Sequence, residues 1–149
     1  IYKKNGKSYE AKLNYFIHFP ARPGGNLYAP IEADSTREVE VFATEFKKNL
    51  LAGNKQEVIK NLHHRIYVHI DGKDVWLEAK DYMGNYDKIF HPEFIDSVKK
   101  NSFPMNMINS YKGVWFGFNR ELIIQKTRKG DGPFKLRVAE VNNQPKEKE

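Results

Sequence analysis

The spacing of the hydrophobic residues changes along this 149-residue chain, and that change constrains the fold most strongly. Between Ser35 and Leu62 the apolar residues recur every three or four positions, which is typical of amphipathic helices. Between Ile66 and Leu77, and again after Tyr111, they alternate with polar residues, which is typical of strands with one buried face. Helices followed by hairpin-connected strands predict an α+β fold.

Local signals place the ends of the helices. Ser35 and Glu38 have the capping-box spacing, so the first helix should begin at Ser35. Gly53 should end it, because glycine tolerates the left-handed conformation that follows many helices. Asn54 and Glu57 repeat the capping spacing and predict a short second helix.

Turn residues separate the remaining elements. Asp71 and Gly72 form a favoured two-residue hairpin turn between two alternating runs. A third helix is predicted over 80–90, and Pro92 should open a fourth helix that ends near Lys100. Strands are predicted over 111–118, 121–128 and 134–141.

A further alternating run precedes the first helix. One face of this predicted N-terminal strand carries Tyr9, Ala11, Leu13, Tyr15, Ile17 and Phe19. An apolar face of this kind needs burial, so the strand could extend a sheet edge, cap a cavity or pair with a second copy in a homodimer. We therefore divide the chain into an N-terminal arm and strand (1–34), an α+β domain (35–142) and a disordered tail (143–149).

Composition narrows the possible functions. The formal charge is +6, which favours anionic partners. The chain has no cysteine, which excludes thiolate catalysis and cysteine-ligated metals. The segment 125–137 is basic, but no nucleic-acid-binding motif is present and the aromatic residues follow core spacing, so we do not expect nucleic-acid binding. No phosphate-binding glycine loop or nucleophile elbow is present, and we expect no cofactor.

Three of the five histidines lie close together in the sequence. On a regular strand His63 and His69 share one face, whereas His64 points to the other with Ile66 and Val68. His63 and His69 would be roughly 20 Å apart at strand rise, too far to share one ion. We therefore predict no metal site.

The stretch YKGVWFGFN is the candidate ligand-binding segment. Gly113 and Gly117 flank Trp115 on one strand face, and they would leave space beside it and allow the strand to bend. A bent sheet with an aromatic floor can form a pocket. Tyr82 and Tyr86, which share a face of the third helix, are the expected walls, although a helix residue could instead fill the space and make Trp115 part of the core.

Acid–base chemistry is an alternative use of the same helix. Asp81 and Asp87 lie beside Tyr82 and Tyr86, and a carboxylate next to a phenol in an apolar cavity can pair a base with an oxyanion donor. Packing of the tyrosines and solvation of the aspartates is the simpler interpretation. We therefore predict no catalytic residue.

The order of elements resembles the nuclear transport factor two-like superfamily, the cystatin-like cone fold that ketosteroid isomerases also use. The stretches FKKNLLAGNKQEVIKNL, EAKDYMGNYDKIF and NMINSYKGVWFGFN carry the resemblance, which is greatest to small bacterial exported or lipid-anchored proteins of unassigned activity. It implies a bent antiparallel sheet wrapped around N-terminal helices, with a cavity at the open end of the cone. The N-terminal strand departs from this pattern, and no catalytic residue can be transferred.

We expect a non-enzymatic protein of the bacterial periplasm or cell envelope, with the cytoplasm as the alternative location. It would bind a small molecule or an acidic protein on the concave sheet face, and a removed N-terminal segment could attach it to the membrane. One functional alternative is a small isomerase- or hydratase-like enzyme that uses an Asp/Tyr pair in the cavity. The other is an inhibitor or immunity-type protein for an acidic partner.

Overall fold

The computed structural model describes residues 36–100, 107–110, 113–117 and 119–145. Helices and strands alternate in blocks: α1 (Thr36–Leu51), α2 (Lys55–Lys60), β1 (Leu62–Ile70), β2 (Lys73–Glu78), α3 (Tyr82–Ile89), α4 (Pro92–Lys100), β3 (Met107–Ser110), β4 (Gly113–Phe116), β5 (Leu122–Thr127) and β6 (Lys135–Val141). These elements confirm the α+β class. The predicted N-terminal strand and the Ser35 cap lie outside the described residues.

Helix α1 ends as its sequence predicts. Gly53 has a φ of +72°, its N–H donates to the Leu50 carbonyl at 3.2 Å, and the Asn54 N–H donates to the Asn49 carbonyl at 3.0 Å. The two bonds satisfy carbonyls that have no partner within the helix. The Asn54 side chain makes no cap bond to α2. Its amide donates to Asn49 Oδ1 instead, so the predicted side-chain cap was wrong.

The strands of the described residues form one six-stranded sheet in the order β2-β1-β6-β5-β4-β3. The sheet is mixed, because β1 runs parallel to β6 while the other neighbours are antiparallel. The expectation of a wholly antiparallel sheet was therefore wrong. A long connection through α3 and α4 separates β1 from the later strands, and a parallel pair requires such a crossover. The β1–β2 turn has positive φ at Asp71 and Gly72, as its sequence predicts.

Strand β3 (Met107–Ser110), which the sequence did not predict, pairs antiparallel with β4, which lies within the strand predicted over 111–118. Ser110 pairs with Gly113 and Met107 pairs with Phe116. Strand β3 is only four residues long, which is too short for an alternating pattern to be recognised.

The core lies between the helices and one face of the sheet, which we call the inner face. Its buried helical side chains are Val39, Ala43, Phe46, Leu50, Val58, Tyr82, Tyr86, Ile89, Phe94 and Val98. Its buried strand residues are Leu62, Ile66, Val68, Val114, Phe116, Leu122, Ile124, Leu136, Val138 and Val141. Because strand side chains alternate, the residues between these strand positions face away from the described helices.

The opposite side of the sheet, the outer face, carries a continuous row of side chains. Cross-strand pairing joins Trp76 to Tyr67, Tyr67 to Glu140, Glu140 to Ile123 and Ile123 to Trp115. The row is not uniformly exposed, since Ile123 is 1% exposed and Trp76 is 57% exposed. The end of this row at β2 is therefore more accessible than its middle at β5.

Asn143 joins the sheet to two helices, although the sequence assigned it to a disordered tail. It is 2% exposed. Its side-chain oxygen accepts from the His69 N–H at 2.8 Å, and its amide donates to the His69 and Ile89 carbonyls at 2.9 Å. Its own carbonyl lies 2.9 Å from His91 Nε2, while Nδ1 of His91 accepts from the Phe94 N–H at the start of α4. The tail prediction was wrong at this position because a short polar residue can satisfy backbone groups where three elements end.

Substituting Asn143 by alanine should lower the free energy of unfolding by about 3 kcal/mol, because one buried and two partly buried backbone groups would lose their partner. Asn142 is the matched control, since it is exposed and its side chain makes a single bond to the Asn119 carbonyl. Asn142→Ala should cost less than about 1 kcal/mol in the same urea titration. Equal losses of unfolding free energy in the two variants would show that the Asn143 side chain stabilises the fold no more than an exposed asparagine does.

Candidate functional site

The two predicted wall residues, Tyr82 and Tyr86, lie in the core. They are 1% and 4% exposed. The Tyr82 hydroxyl donates to the His63 carbonyl at 2.5 Å, whereas the buried Tyr86 hydroxyl has no hydrogen-bond partner among the described residues. Burial raises the pKa of Tyr82, and it raises that of Tyr86 to about 12, with a further contribution from the charge of Asp87. Both phenols are therefore protonated at neutral pH.

The carboxylate of Asp87 lies at the surface, away from any cavity role. Its side chain is 84% exposed and pairs with Lys55 Nζ at 2.8 Å. Asp81 ends the short 3-10 turn before α3, and its backbone carbonyl accepts from the Asn85 amide at 2.9 Å. The Tyr86 phenol is therefore buried, whereas the Asp87 carboxylate is exposed and paired with Lys55.

Trp115 lies on the outer face, so the structure does not bring it together with Tyr82 and Tyr86. The strand neighbours of Trp115, Val114 and Phe116, point into the core that contains both tyrosines. The predicted arrangement of a tryptophan floor with tyrosine walls was wrong, because alternation shows which residues share a face but not which face meets the helices.

Gly113 does not leave open space beside Trp115. A side chain there would place its Cβ 2.6 Å from the Ile124 carbonyl oxygen and 2.9 Å from Cγ of Gln125. Gly113 also has a φ of +138°, and Gly117 is buried with a φ of +96°. Glycine at position 113 therefore allows β4 to approach β5 closely, which corrects the expectation that it clears a pocket.

Arg120 covers part of Trp115. Its guanidinium carbon lies 4.9 Å from the centre of the Trp115 ring. The loop that carries Arg120 is held by Glu121, which is 1% exposed. The Glu121 carboxylate accepts from the Ser97 hydroxyl at 2.5 Å and from the Asn119 N–H at 3.1 Å. This buried carboxylate was not predicted from the sequence, since a single glutamate after a turn resembles an ordinary surface residue.

The exposed end of the outer face carries a group that we call the Trp76 cluster: Trp76, Tyr67 and Arg65. The rings of Trp76 and Tyr67 are 5.1 Å apart, and the Arg65 guanidinium carbon lies 4.5 Å from the Trp76 ring centre. Trp76 remains 57% exposed despite both contacts. Sequence analysis missed the cluster, although the position of Trp76 between inward-facing Val75 and Leu77 was a usable signal.

A hydrogen-bonded group lies beside the Trp76 cluster. Asp74 Oδ1 lies 2.8 Å from Nδ1 of His69 and accepts from the Gln144 amide at 3.1 Å. The bonds from His69 and Gln144 lower the pKa of Asp74. Asp74 therefore stays ionised to lower pH than an isolated aspartate, and its negative charge has assigned partners.

His63 and His64 lie together at the start of β1, contrary to strict alternation. Their ring centres are 4.0 Å apart, and the pairing of β1 with β6 is irregular between Leu62 and Tyr67. His69 is engaged by Asp74, so the three histidines of this stretch do not converge. In the part of the chain that the structure describes, no group of three or more histidines, aspartates or glutamates is arranged to hold a metal ion.

Comparison with known proteins found no match among protein-family models, curated proteins or solved structures. None of the helices in the described ranges is both long enough and apolar enough to cross a membrane.

The two tyrosines provide a matched pair of variants. Tyr82→Phe should lower the free energy of unfolding by about 1–2 kcal/mol, because the His63 carbonyl loses its donor. Tyr86→Phe removes a buried hydroxyl for which the described part of the chain offers no partner, so stability should be unchanged or rise by up to about 1 kcal/mol. A larger loss for Tyr86→Phe than for Tyr82→Phe in denaturant titrations would contradict this assignment.

Proposed function

We propose that this protein is a binding protein, not an enzyme, and that an acidic protein partner docks on the outer face at the Trp76 cluster. One observation carries the proposal: Trp76 is 57% exposed, yet Tyr67 and Arg65 hold it in place. The proposed surface therefore differs from the one around Trp115, Tyr82 and Tyr86 that the sequence predicted.

The composition of the Trp76 cluster matches that of interface hot spots. Tryptophan, tyrosine and arginine are the residues most enriched among side chains that dominate binding energy. Contacts with Tyr67 and Arg65 limit the rotamers of Trp76 before binding, which reduces the entropy lost on association. A partner that covers the exposed ring would gain apolar burial at a position that is already ordered.

The charge of Arg65 indicates the character of the partner. Arg65 is exposed and lies opposite Glu78 in the β1–β2 pairing, but the Glu78 carboxylate lies 3.6 Å from Lys80 Nζ. Within the described residues Arg65 forms no salt bridge. Together with the net charge of +6, this favours a partner that offers a carboxylate beside a pocket for Trp76.

The isomerase- or hydratase-like alternative has less support. It requires a carboxylate and a tyrosine in one cavity, whereas Asp87 is exposed and paired with Lys55. The inhibitor or immunity-type alternative is a special case of the proposed acidic partner.

We also propose the cone fold of the nuclear transport factor two-like superfamily and a location in the bacterial cell envelope. The order of two helices, a hairpin, a helix pair and a run of antiparallel strands supports the fold. The location follows from the resemblance alone. An experimental structure that includes residues 1–35 tests the cone and the extra strand, and fractionation of source cells tests the location.

The proposed partner surface can be tested by affinity capture from source cells, followed by purification of the captured protein. Its affinity should fall at least about thirtyfold with Trp76→Ala, since hot-spot truncations cost about 2 kcal/mol or more. Arg65→Gln should also weaken binding, and added salt should weaken it further. Met83→Ala is the matched control, because Met83 is 51% exposed on α3 instead of the sheet.

A captured protein that binds the Trp76→Ala and Met83→Ala variants equally would contradict the proposed surface. So would a basic partner whose affinity rises when Arg65 is replaced.

A further inference from the structure

Arg137 is a buried cation that has no counter-ion among the described residues. It is 9% exposed, and its Nη1 donates to the Thr127 carbonyl at 2.6 Å and to the Thr127 hydroxyl at 3.2 Å. Both acceptors are neutral. Among the described residues, no carboxylate lies within salt-bridge distance of Arg137. Burying an unpaired charge is unfavourable, so an anion bound to this guanidinium would stabilise the folded protein.

His63 lies on the strand next to Arg137. The pairing of Leu62 with Val138 sets β1 beside β6, and both of these residues point into the core. His63 follows Leu62 in β1, and Arg137 precedes Val138 in β6. His63 and Arg137 therefore lie on the outer face of adjacent strands. His63 Nδ1 is 3.1 Å from the Arg65 carbonyl. A carbonyl only accepts, so Nδ1 carries the hydrogen and Nε2 is left for another partner.

Further positive charge surrounds this position. Lys129 follows β5, the other neighbour of β6, and the His64 ring contacts that of His63. Burial lowers the pKa of His63, the bond to the Arg65 carbonyl opposes this, and the charges of His64, Arg137 and Lys129 lower it further. Within the described residues, neither Lys129 nor His64 forms a salt bridge.

We propose that Arg137, His63 and Lys129 form a binding site for a phosphate- or sulfate-type oxyanion. Toward the described residues the guanidinium donates only through Nη1, which leaves its other donors for two oxygens of one anion. His63 Nε2 supplies a third donor when it is protonated, and Lys129 supplies a flexible charge from the loop. This site is separate from the proposed docking surface for a protein and does not depend on it.

Binding at this site should be linked to protonation of His63. An anion stabilises the charged imidazole, so binding raises the pKa of His63 towards or above its ordinary value of 6.5. The affinity should therefore increase as pH falls through the pKa of His63 in the bound protein, and it should go on increasing below pH 6.5, because the pKa of His63 in the free protein is lowered. The charged groups that face His63 are Arg137 from β6, Lys129 from the β5–β6 loop and His64 from β1.

The test is a titration of the full chain with inorganic phosphate by calorimetry and NMR, repeated with sulfate for the pH series. Sulfate keeps its charge between pH 6 and 8, so any pH dependence belongs to the protein. Arg137→Met should weaken phosphate binding at least about tenfold, and His63→Gln should abolish the pH dependence of sulfate binding. Lys99→Gln, an equal change of charge on exposed α4, should leave affinity unchanged.

If Arg137→Met fails to fold, Lys129→Gln and His63→Gln carry the test, since both positions are less buried. Saturable binding of a soluble phosphate monoester would indicate a free ligand. Binding only to vesicles that contain phosphatidic acid, and not to phosphatidylcholine vesicles, would indicate a lipid headgroup. Either outcome supports the site, provided that it depends on these residues.

If none of these probes shows saturable binding, the inference is overturned. Equal weakening by Lys99→Gln and by the site variants would also overturn it, because it would show general attraction of anions to a basic chain.

Discussion

The alternation of side chains along each strand is the constraint on which this structure depends. A strand can direct only every second residue towards the helices, and a shift of one position exchanges the two sets. In β4 this rule sends Val114 and Phe116 into the core and Trp115 to the outer face. The same register aligns Trp115 with Trp76 across the sheet, so one set of pairings determines both the core and the surface available for recognition.

The two faces of the sheet differ in how their polar groups are satisfied. On the inner side, the Tyr82 hydroxyl reaches the His63 carbonyl, and Asn143 satisfies backbone groups of β1 and α3. On the outer side, Arg65 and Arg137 have no carboxylate among the described residues. Groups that the fold leaves without a counter-ion are those that a ligand or partner can complete.

The sequence predicted the local features well. Gly53 ends α1, Asp71 and Gly72 form the hairpin turn, and α4 runs from Pro92 to Lys100. Each of these depends on residues only a few positions apart. Strand β3 escaped prediction because four residues carry too little periodicity.

The functional surface could not be predicted in the same way, because it depends on contacts between distant segments. Alternation shows that Trp115 and its strand neighbours point to opposite faces of the sheet. Only the position of the helices shows that Tyr82 lies on the face opposite Trp115. Glycine is needed at position 113 because a Cβ there would collide with the backbone of β5. The placement of Arg137 and His63 on neighbouring strands depends on the parallel pairing of β6 with β1, for which neither segment alone gives a signal.

If the proposed oxyanion site exists, outer-face residues such as Arg137 serve binding and contribute little to folding. The most direct measurement is the free energy of unfolding of the unmodified protein and of Arg137→Met, with and without phosphate at matched ionic strength. Without phosphate the variant should be within about 1 kcal/mol of the unmodified protein or more stable, because a buried unpaired cation is replaced by an apolar side chain. Phosphate should stabilise only the unmodified protein. A loss of about 3 kcal/mol or more in the variant, with equal effects of phosphate on both proteins, would show that Arg137 is needed for the fold and would contradict the account.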